Sequence, residues 1–206
     1  KQYLVRSRLM PLCKLTDCSS INAFIDLIVK GNKQHQLDAI EAMTTNETLW
    51  FRDDYPFELL KDSILSQFAE KNGQVRIWSA ACSSGQEAYS IAMTILNYKK
   101  LQNNSFRSGV EIVGTDISQQ MLQLCKTAEY DSLATSRGLP KQFQIDYFEA
   151  TEQNKLRLKP EVKAMATFKP LNLLESYSML GKFDIVFCRN VLIYFSTEVK
   201  KQILQK

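Results

Sequence analysis

The residues best placed for chemistry in this 206-residue chain follow three short apolar runs. After VRIWSA (75–80) comes ACSSGQE (81–87), where small residues from Ala81 to Gly85 let the backbone approach a ligand before a helix begins. Asp116 follows VEIVGT (110–115), about thirty residues beyond Gly85. An acidic side chain there accepts both hydroxyls of a ribose, or caps the helix from Ser118. After FDIVFC (183–188) comes Asn190, a polar group at a strand end that needs partners if buried. No GxGxxG spacing is present, and Glu87 near the helix start repels an anion, so a cationic or neutral ligand fits better than a pyrophosphate. A small-residue turn, an acid for a ribose and a polar strand end together describe an S-adenosylmethionine site better than a nicotinamide site.

The elements that must position these groups can be read from periodicity. From residue 75, short apolar runs alternate with amphipathic stretches, the pattern of βαβ units and a parallel, doubly wound sheet. The strands are VRIWSA, VEIVGT and FDIVFC; QEAYSIAMTILNY and SQQMLQLCKTA supply helices, the first with Ala88, Ile91, Ala92 and Ile95 on one face. Ligands in such sheets bind outside the carboxyl ends of the strands. Residues 129–170 break the rhythm with Gly138, Pro140, Pro160 and Pro170 around the alternating KLRLK (155–159), and read as an insertion with a short hairpin. Residues 1–60 show helical spacing instead, at Leu4, Arg8 and Leu12 and at Ile21, Phe24, Ile25 and Ile28. They predict a small helical lobe, with one helix over about 20–30 capped by Ser19 or Ser20 and closed by Gly31 and Asn32. Residues 61–206 form the α/β domain, with the insertion within it.

Composition narrows the function classes. The chain is 45% hydrophobic and 23% charged, and no apolar run approaches the ~20 residues of a membrane helix. The start, KQYLVRSRLM, lacks the pattern of a secretory signal, which places the protein in the cytoplasm. Cys13, Cys18, Cys82, Cys125 and Cys188 are odd in number and lack a CxxC pair, fitting neither a disulfide framework nor a zinc site; most of them read as buried small hydrophobes. The single histidine, His35, lies in the polar stretch GNKQHQ and reads as a solvated surface residue, leaving histidine-based nucleophilic schemes without support. A net charge of +4, evenly spread, does not argue for nucleic acid. The first 35 residues are locally basic, with Lys1, Arg6, Arg8, Lys14, Lys30 and Lys33 against Asp17 and Asp26. They offer either a solvated helix face or a surface for an acidic partner.

Five ordered blocks, TTNETLWFRD, RIWSAACSSGQEAYSIAMTI, VGTDIS, PLNLL and FDIVFCRNVLIYF, resemble the CheR family of chemotaxis receptor glutamate methyltransferases. The resemblance runs from about Tyr3 to Leu204. It implies a helical N-terminal lobe before a Rossmann-like, S-adenosylmethionine-dependent methyltransferase domain that carries an inserted β-subdomain. By the same match, cofactor contacts fall on Asn46, Thr48 and Arg52, the guanidinium of Arg52 suiting the methionine carboxylate. Glu87 faces the amino-acid or ribose portion and Asp116 the adenosine hydroxyls. Asn172 with Leu173, and Asn190 with Val191, frame the adenine and the approach to the methyl group, and Tyr194 lines the acceptor channel or packs in the core. Cys82 and Cys188 remain packing residues, since no partner lowers a thiol pKa. No residue is assigned as a general acid or base, and no metal is implied. The product would be S-adenosylhomocysteine, and the acceptor a glutamate on the cytoplasmic helical region of a chemotaxis receptor, which Arg6, Arg8 and Lys14 would meet.

Some positions depart from the family pattern. Ala81 stands where glycine is common, Gln86 where Glu is common and Ala88 where Pro is common. FEATEQNK (148–155) is shorter than the loop of members that bind a receptor-tethering pentapeptide, so a pentapeptide-independent type with no such tether is expected. The chain stops at Lys206, before the family's closing strands, so C-terminal strands are expected to be missing. The competing readings are a non-catalytic CheR-like module that binds the cofactor or a receptor, and, further off, a nicotinamide oxidoreductase.

Overall fold

Apolar alternation, helix caps and left-handed turn residues account for most of the architecture in a computed structural model that describes residues 2–102 and 105–206. Lys1, one of the basic residues counted above, lies outside the described residues. The chain divides into two compact units. The first comprises residues 1–46 with Ser118–Gln120, and the second comprises Glu47–Ile117 and Met121–Lys206.

The first unit contains α1 (Gln2–Leu15), α2 (Ile21–Val29) and α3 (Lys33–Met43). Ser20 caps α2 by accepting from the Ala23 amide at 3.1 Å. At its other end the Gly31 amide donates to Ile28 and the Asn32 amide to Leu27, with Gly31 at φ +92°, a Schellman closure. The expected helix over 20–30 is therefore present with both expected caps. Leu9, Cys13 and Phe24 form the small core. Residues 118–120 count with this unit because the Glu41 carboxylate accepts from the Ser118 hydroxyl and the Gln120 amide.

The second unit begins with a continuous helical run, α4 (Tyr55–Leu59), a π turn (Leu60–Ile64) and α5 (Leu65–Phe68). Then come β1 (Val75–Ala80), α6 (Gln86–Leu101), β2 (Val110–Asp116) and α7 (Gln119–Thr127). The interrupted region holds β3 (Glu129–Tyr130), α8 (Ser132–Ser136), α9 (Lys141–Tyr147), β4 (Phe148–Ala150), β5 (Leu156–Leu158) and α10 (Pro160–Lys163). It is followed by β6 (Ala166–Pro170), β7 (Ile185–Phe187) and α11 (Thr197–Gln205). The main sheet is parallel in the order β6-β2-β1-β7, and β3, β5 and β4 form a separate antiparallel sheet. Period-two alternation sorts the main strands. Val75 and Ile77 join a core with Ile91, Met93 and Ile95 of α6, while Trp78 and Ala80 join one with Ile203 of α11.

Two boundaries differ from expectation. Residues 47–60 belong to the second unit, because Trp50, Phe57 and Leu60 bury their side chains in the core that covers the sheet. Residues 166–170, read as the end of the insertion, are instead the edge strand β6, paired with β2 from Ile112↔Ala166 to Asp116↔Pro170. With Thr167, Lys169 and Pro170 exposed, this strand has no apolar run to announce it. An edge strand also tolerates the proline that a central strand would exclude.

Candidate functional site

Strand order places the site. The chain runs outward from β1 through β2 to β6, then returns to the other side of β1 as β7, so the order reverses between β1 and β7. A crevice outside the carboxyl ends of the strands at such a reversal is where open parallel sheets bind ligands.

The turn after β1 bends through left-handed backbone at Ala81 (φ +59°), Ser83 (φ +50°) and Gly85 (φ +94°). At the two non-glycine positions this conformation costs about 1–2 kcal/mol each. Tertiary hydrogen bonds hold it. The Cys82 amide donates to Thr115, the Cys125 thiol to the Ser83 carbonyl at 3.1 Å, and the Tyr130 hydroxyl to the Ser84 carbonyl at 2.8 Å. Gly85 is enclosed: a Cβ there would sit 3.1 Å from Cys125 Sγ and 3.2 Å from the Tyr89 ring. Asp116, 6% exposed at the end of β2, accepts from the Ser83 amide at 2.8 Å. Its carboxylate thus joins the turn after β1 to the end of β2.

A second carboxylate lies in the first turn of α6. Glu87 accepts from the Ser79 hydroxyl at 2.7 Å and from Arg189 Nη1 at 3.1 Å. Burial pushes the Glu87 carboxyl up, and the Ser79 hydroxyl and the Arg189 and Arg52 charges only partly offset that rise. Arg189 also donates from Nη2 to the Arg52 carbonyl at 2.6 Å and to Asp53 Oδ2 at 2.8 Å. Arg52 itself donates to the Glu47 carbonyl at 3.0 Å. Arg189, which the sequence reading did not single out, thus meets two of the expected site residues, Glu87 and Arg52, and its position directly after an apolar strand run was the available signal.

The remaining expected residues are distributed as follows. Thr48 is half-buried ahead of the Arg52 loop. Asn172 follows β6, its side-chain oxygen accepting from the Leu174 amide at 3.0 Å, and Leu173 is buried against Trp78. Asn190 is exposed, at φ +56°, with Val191 half-buried beside it and Tyr194 exposed. Asn46 closes the first unit, its amide directed to the Thr44 hydroxyl at 3.4 Å. In that unit Arg6 and Lys14 are exposed, whereas Arg8 donates to the Met43 and Thr44 carbonyls and the Thr45 hydroxyl. Arg8 therefore ties α1 to the C-terminal end of α3.

Two other expectations concern reactive groups. Cys82 is buried, and hydrogen bonding with Cys125 together with burial holds its thiol well above the ordinary range; burial and then the Glu87 charge raise that of Cys188. A raised thiol pKa lowers the thiolate fraction, which fits their reading as packing residues. His35 departs from its expected solvated state. It is half-buried, its ring 5.6 Å from that of Phe24 and its Nδ1 3.8 Å from Asp38.

The donor set fits S-adenosylmethionine. The buried Asp116 carboxylate, the half-buried Glu87 carboxylate and a turn of small residues stand at this end of the sheet, a set suited to hydroxyls and positive charge and ill-suited to phosphate. Comparisons agree. A family model described as "CheR methyltransferase, SAM binding domain" matches residues 46–206. The chain is 49% identical to "Chemotaxis protein methyltransferase 1" of Vibrio cholerae, over 100% of this chain and 75% of that protein. It is 48% identical to "Chemotaxis protein methyltransferase 1" of Pseudomonas aeruginosa, over 99% and 75%. To "Chemotaxis protein methyltransferase" of Escherichia coli it is 30% identical, over 100% and 71%.

Proposed function

Because the chain belongs to the CheR methyltransferase family, we propose that it transfers methyl groups from S-adenosylmethionine to glutamate side-chain carboxylates of chemotaxis receptors, giving methyl esters and S-adenosylhomocysteine. S-adenosylmethionine-dependent methylation in chemotaxis is carried by family membership itself. The observation that supports the proposal most is the pair of carboxylates beside the reversal in strand order, Asp116 at the carboxyl end of β2 and Glu87 in the first turn of α6, bonded to Ser79 of β1.

Asp116 would accept the adenosine hydroxyls, and Glu87 would face the amino-acid or ribose portion. Arg52 would hold the methionine carboxylate, supported by Asn46 and Thr48. Asn172 with Leu173, and Asn190 with Val191, would frame the adenine and the methyl approach. When bound, S-adenosylmethionine supplies an electrophilic methyl group on a sulfonium. A glutamate carboxylate is already a nucleophile at neutral pH, so the chain's residues need only orient the acceptor and exclude water, with no general base. The raised thiols of Cys82 and Cys188 accord with that division of labour.

Exposed Arg6 and Lys14 would meet an acidic receptor helix in the cytoplasm. The β4–β5 turn is short, closed by the Thr151 amide on the Lys155 carbonyl at 2.9 Å, and supports a pentapeptide-independent type. Among the described residues no helix is long and apolar enough to cross a membrane. The test is calorimetry with S-adenosylhomocysteine, followed by transfer of labelled methyl to a receptor cytoplasmic fragment and its removal by mild base. Micromolar binding and base-labile label are expected. Binding without transfer would favour a non-catalytic module, and base-stable label would exclude a carboxylate acceptor.

A further inference from the structure

The loop at residues 50–54, which presents Arg52, has an unfavourable backbone: Phe51 (φ +46°), Asp53 (φ +67°) and Asp54 (φ +43°) are all left-handed. Non-glycine residues keep such conformations only where their surroundings over-determine them. Two sets of contacts hold the start of the loop. The Trp50 amide donates to the Arg137 carbonyl at 3.2 Å, and the Phe51 amide to Ser90 Oγ at 3.1 Å. The Phe51 ring packs edge-on against Phe57 and Phe143. Arg52 donates to the Glu47 carbonyl and the Asp53 carbonyl accepts from the Tyr55 amide, both within the segment itself, and neither of the two sets reaches Arg52 or Asp53 from outside it.

Arg189 does. Its fork takes the Arg52 carbonyl and the Asp53 carboxylate on Nη2 and the Glu87 carboxylate on Nη1, while its guanidinium carbon lies 5.6 Å from the centre of the Phe57 ring. Since a guanidinium presents its donors in a rigid plane, these acceptors fix one another's positions. Asp53 is the exposed end of the system and Glu87 the buried end. With Asp53 in place, the charges of Arg52, Arg189, Glu87 and Asp53 sum to zero.

We propose that Arg189, with Asp53 as its outer charge partner, is a positioning clamp that sets the strained Arg52 loop and Glu87 relative to each other. The proposal rests on the reading that Arg52 and Glu87 serve the amino-acid end of the cofactor. Arg189 then acts through its neighbours and makes no contact with the reacting atoms. Loss of the clamp weakens cofactor binding and raises the apparent KM for S-adenosylmethionine, leaving kcat little changed.

The test uses the full 206-residue chain and the variants Asp53→Asn, Asp53→Glu, Arg189→Lys and Arg189→Gln, with the double variant Asp53→Asn/Arg189→Gln. Asn tolerates the left-handed backbone, so Asp53→Asn removes only the charge. Hydrogen exchange at the amides of residues 51–54 and calorimetric binding of S-adenosylhomocysteine are measured together. Asp53→Asn is expected to speed exchange in the loop and weaken binding by about two- to fivefold, as for a rim-exposed ion pair. Asp53→Glu should restore both. Arg189→Gln should cost about tenfold or more, because it leaves Glu87 buried without its partner. In that background Asp53→Asn should add nothing. Loop exchange at wild-type rates in Asp53→Asn and Arg189→Lys, or fully additive effects in the double variant, would overturn the clamp. A wild-type chain that fails to bind S-adenosylhomocysteine would instead overturn the cofactor reading, with the exchange arm still deciding the clamp.

Discussion

Arg189 Nη1 lies 3.1 Å from Glu87 Oε2, although 102 positions separate the two residues. One comes from the segment after β7 and the other from the first turn of the helix after β1. They meet because β7 pairs with β1, in register from Ile77↔Ile185 to Ser79↔Phe187. Burial raises the Glu87 pKa, and the Ser79 hydroxyl and the Arg189 and Arg52 charges counter that rise.

Asp116 is expected to matter for both the ligand and the fold. Asp116→Ala removes the acceptor that the buried Ser83 amide uses at 2.8 Å. A hydrogen bond to a charged group is worth about 1.5–3 kcal/mol. Urea unfolding should show a loss of that order, and S-adenosylhomocysteine affinity should fall by about tenfold or more. Unchanged affinity would separate Asp116 from the cofactor site.

Ala81 stands at φ +59°, a conformation that suits glycine. Ala81→Gly should stabilise the chain by about 0.5–1 kcal/mol, the relief of left-handed strain exceeding the added backbone entropy of the unfolded state. Denaturant midpoints of the two chains measure it, and a destabilised glycine variant would show that the methyl group packs usefully.

Gly138 lies at φ +81°, and a Cβ there would sit 2.1 Å from the Trp50 carbonyl oxygen. That oxygen is backbone and has no rotamer by which to retreat. Gly138→Ala is expected to destabilise by about 2 kcal/mol or more, from overpacking combined with backbone strain. It should also loosen the Trp50–Arg52 loop, read as weaker S-adenosylhomocysteine binding.

Asp184 should shape the acid limb of stability. Burial pushes its carboxyl up, but the Lys71 ammonium at 2.5 Å, the Arg76 amide and the charges of Lys71 and Arg76 outweigh that, so its pKa falls below the ordinary 3.8. With the folded value depressed, the contribution is present above pH 3.8 and is lost as the pH falls through the folded value. Asp184→Asn should therefore be less stable than wild type at neutral pH, the gap closing in acid. A gap independent of pH would assign the effect to packing.

The basic residues of α1 should separate by role. Arg8 donates to Met43, Thr44 and Thr45, so Arg8→Glu should destabilise by about 1–3 kcal/mol through its lost hydrogen bonds. Arg6→Glu and Lys14→Glu, both at exposed positions, should leave stability within about 0.5 kcal/mol and slow methyl transfer to a receptor fragment, more at low salt than at high. Transfer rates indifferent to these reversals would remove α1 from the docking surface.

Local chemistry in the sequence determined much of this molecule. The runs VRIWSA and VEIVGT are strands because they alternate apolar side chains between two covered faces, and α2 starts at Ser20 and ends at Gly31 because its caps are encoded within a few residues. The small-residue turn, Asp116 and the five family blocks were likewise legible, since each depends on residue types at short spacing. Tertiary structure alone decided the rest. β6 exists as a strand only because β2 supplies its hydrogen bonds, its own exposed Thr167, Lys169 and Pro170 giving no apolar signal. The 47–60 segment joined the second unit because Trp50, Phe57 and Leu60 found their burial there. Arg8 turned inward and Arg189 met Glu87 through contacts across 35 and 102 positions, and no local pattern records which of many acceptors a guanidinium will find once the sheet closes.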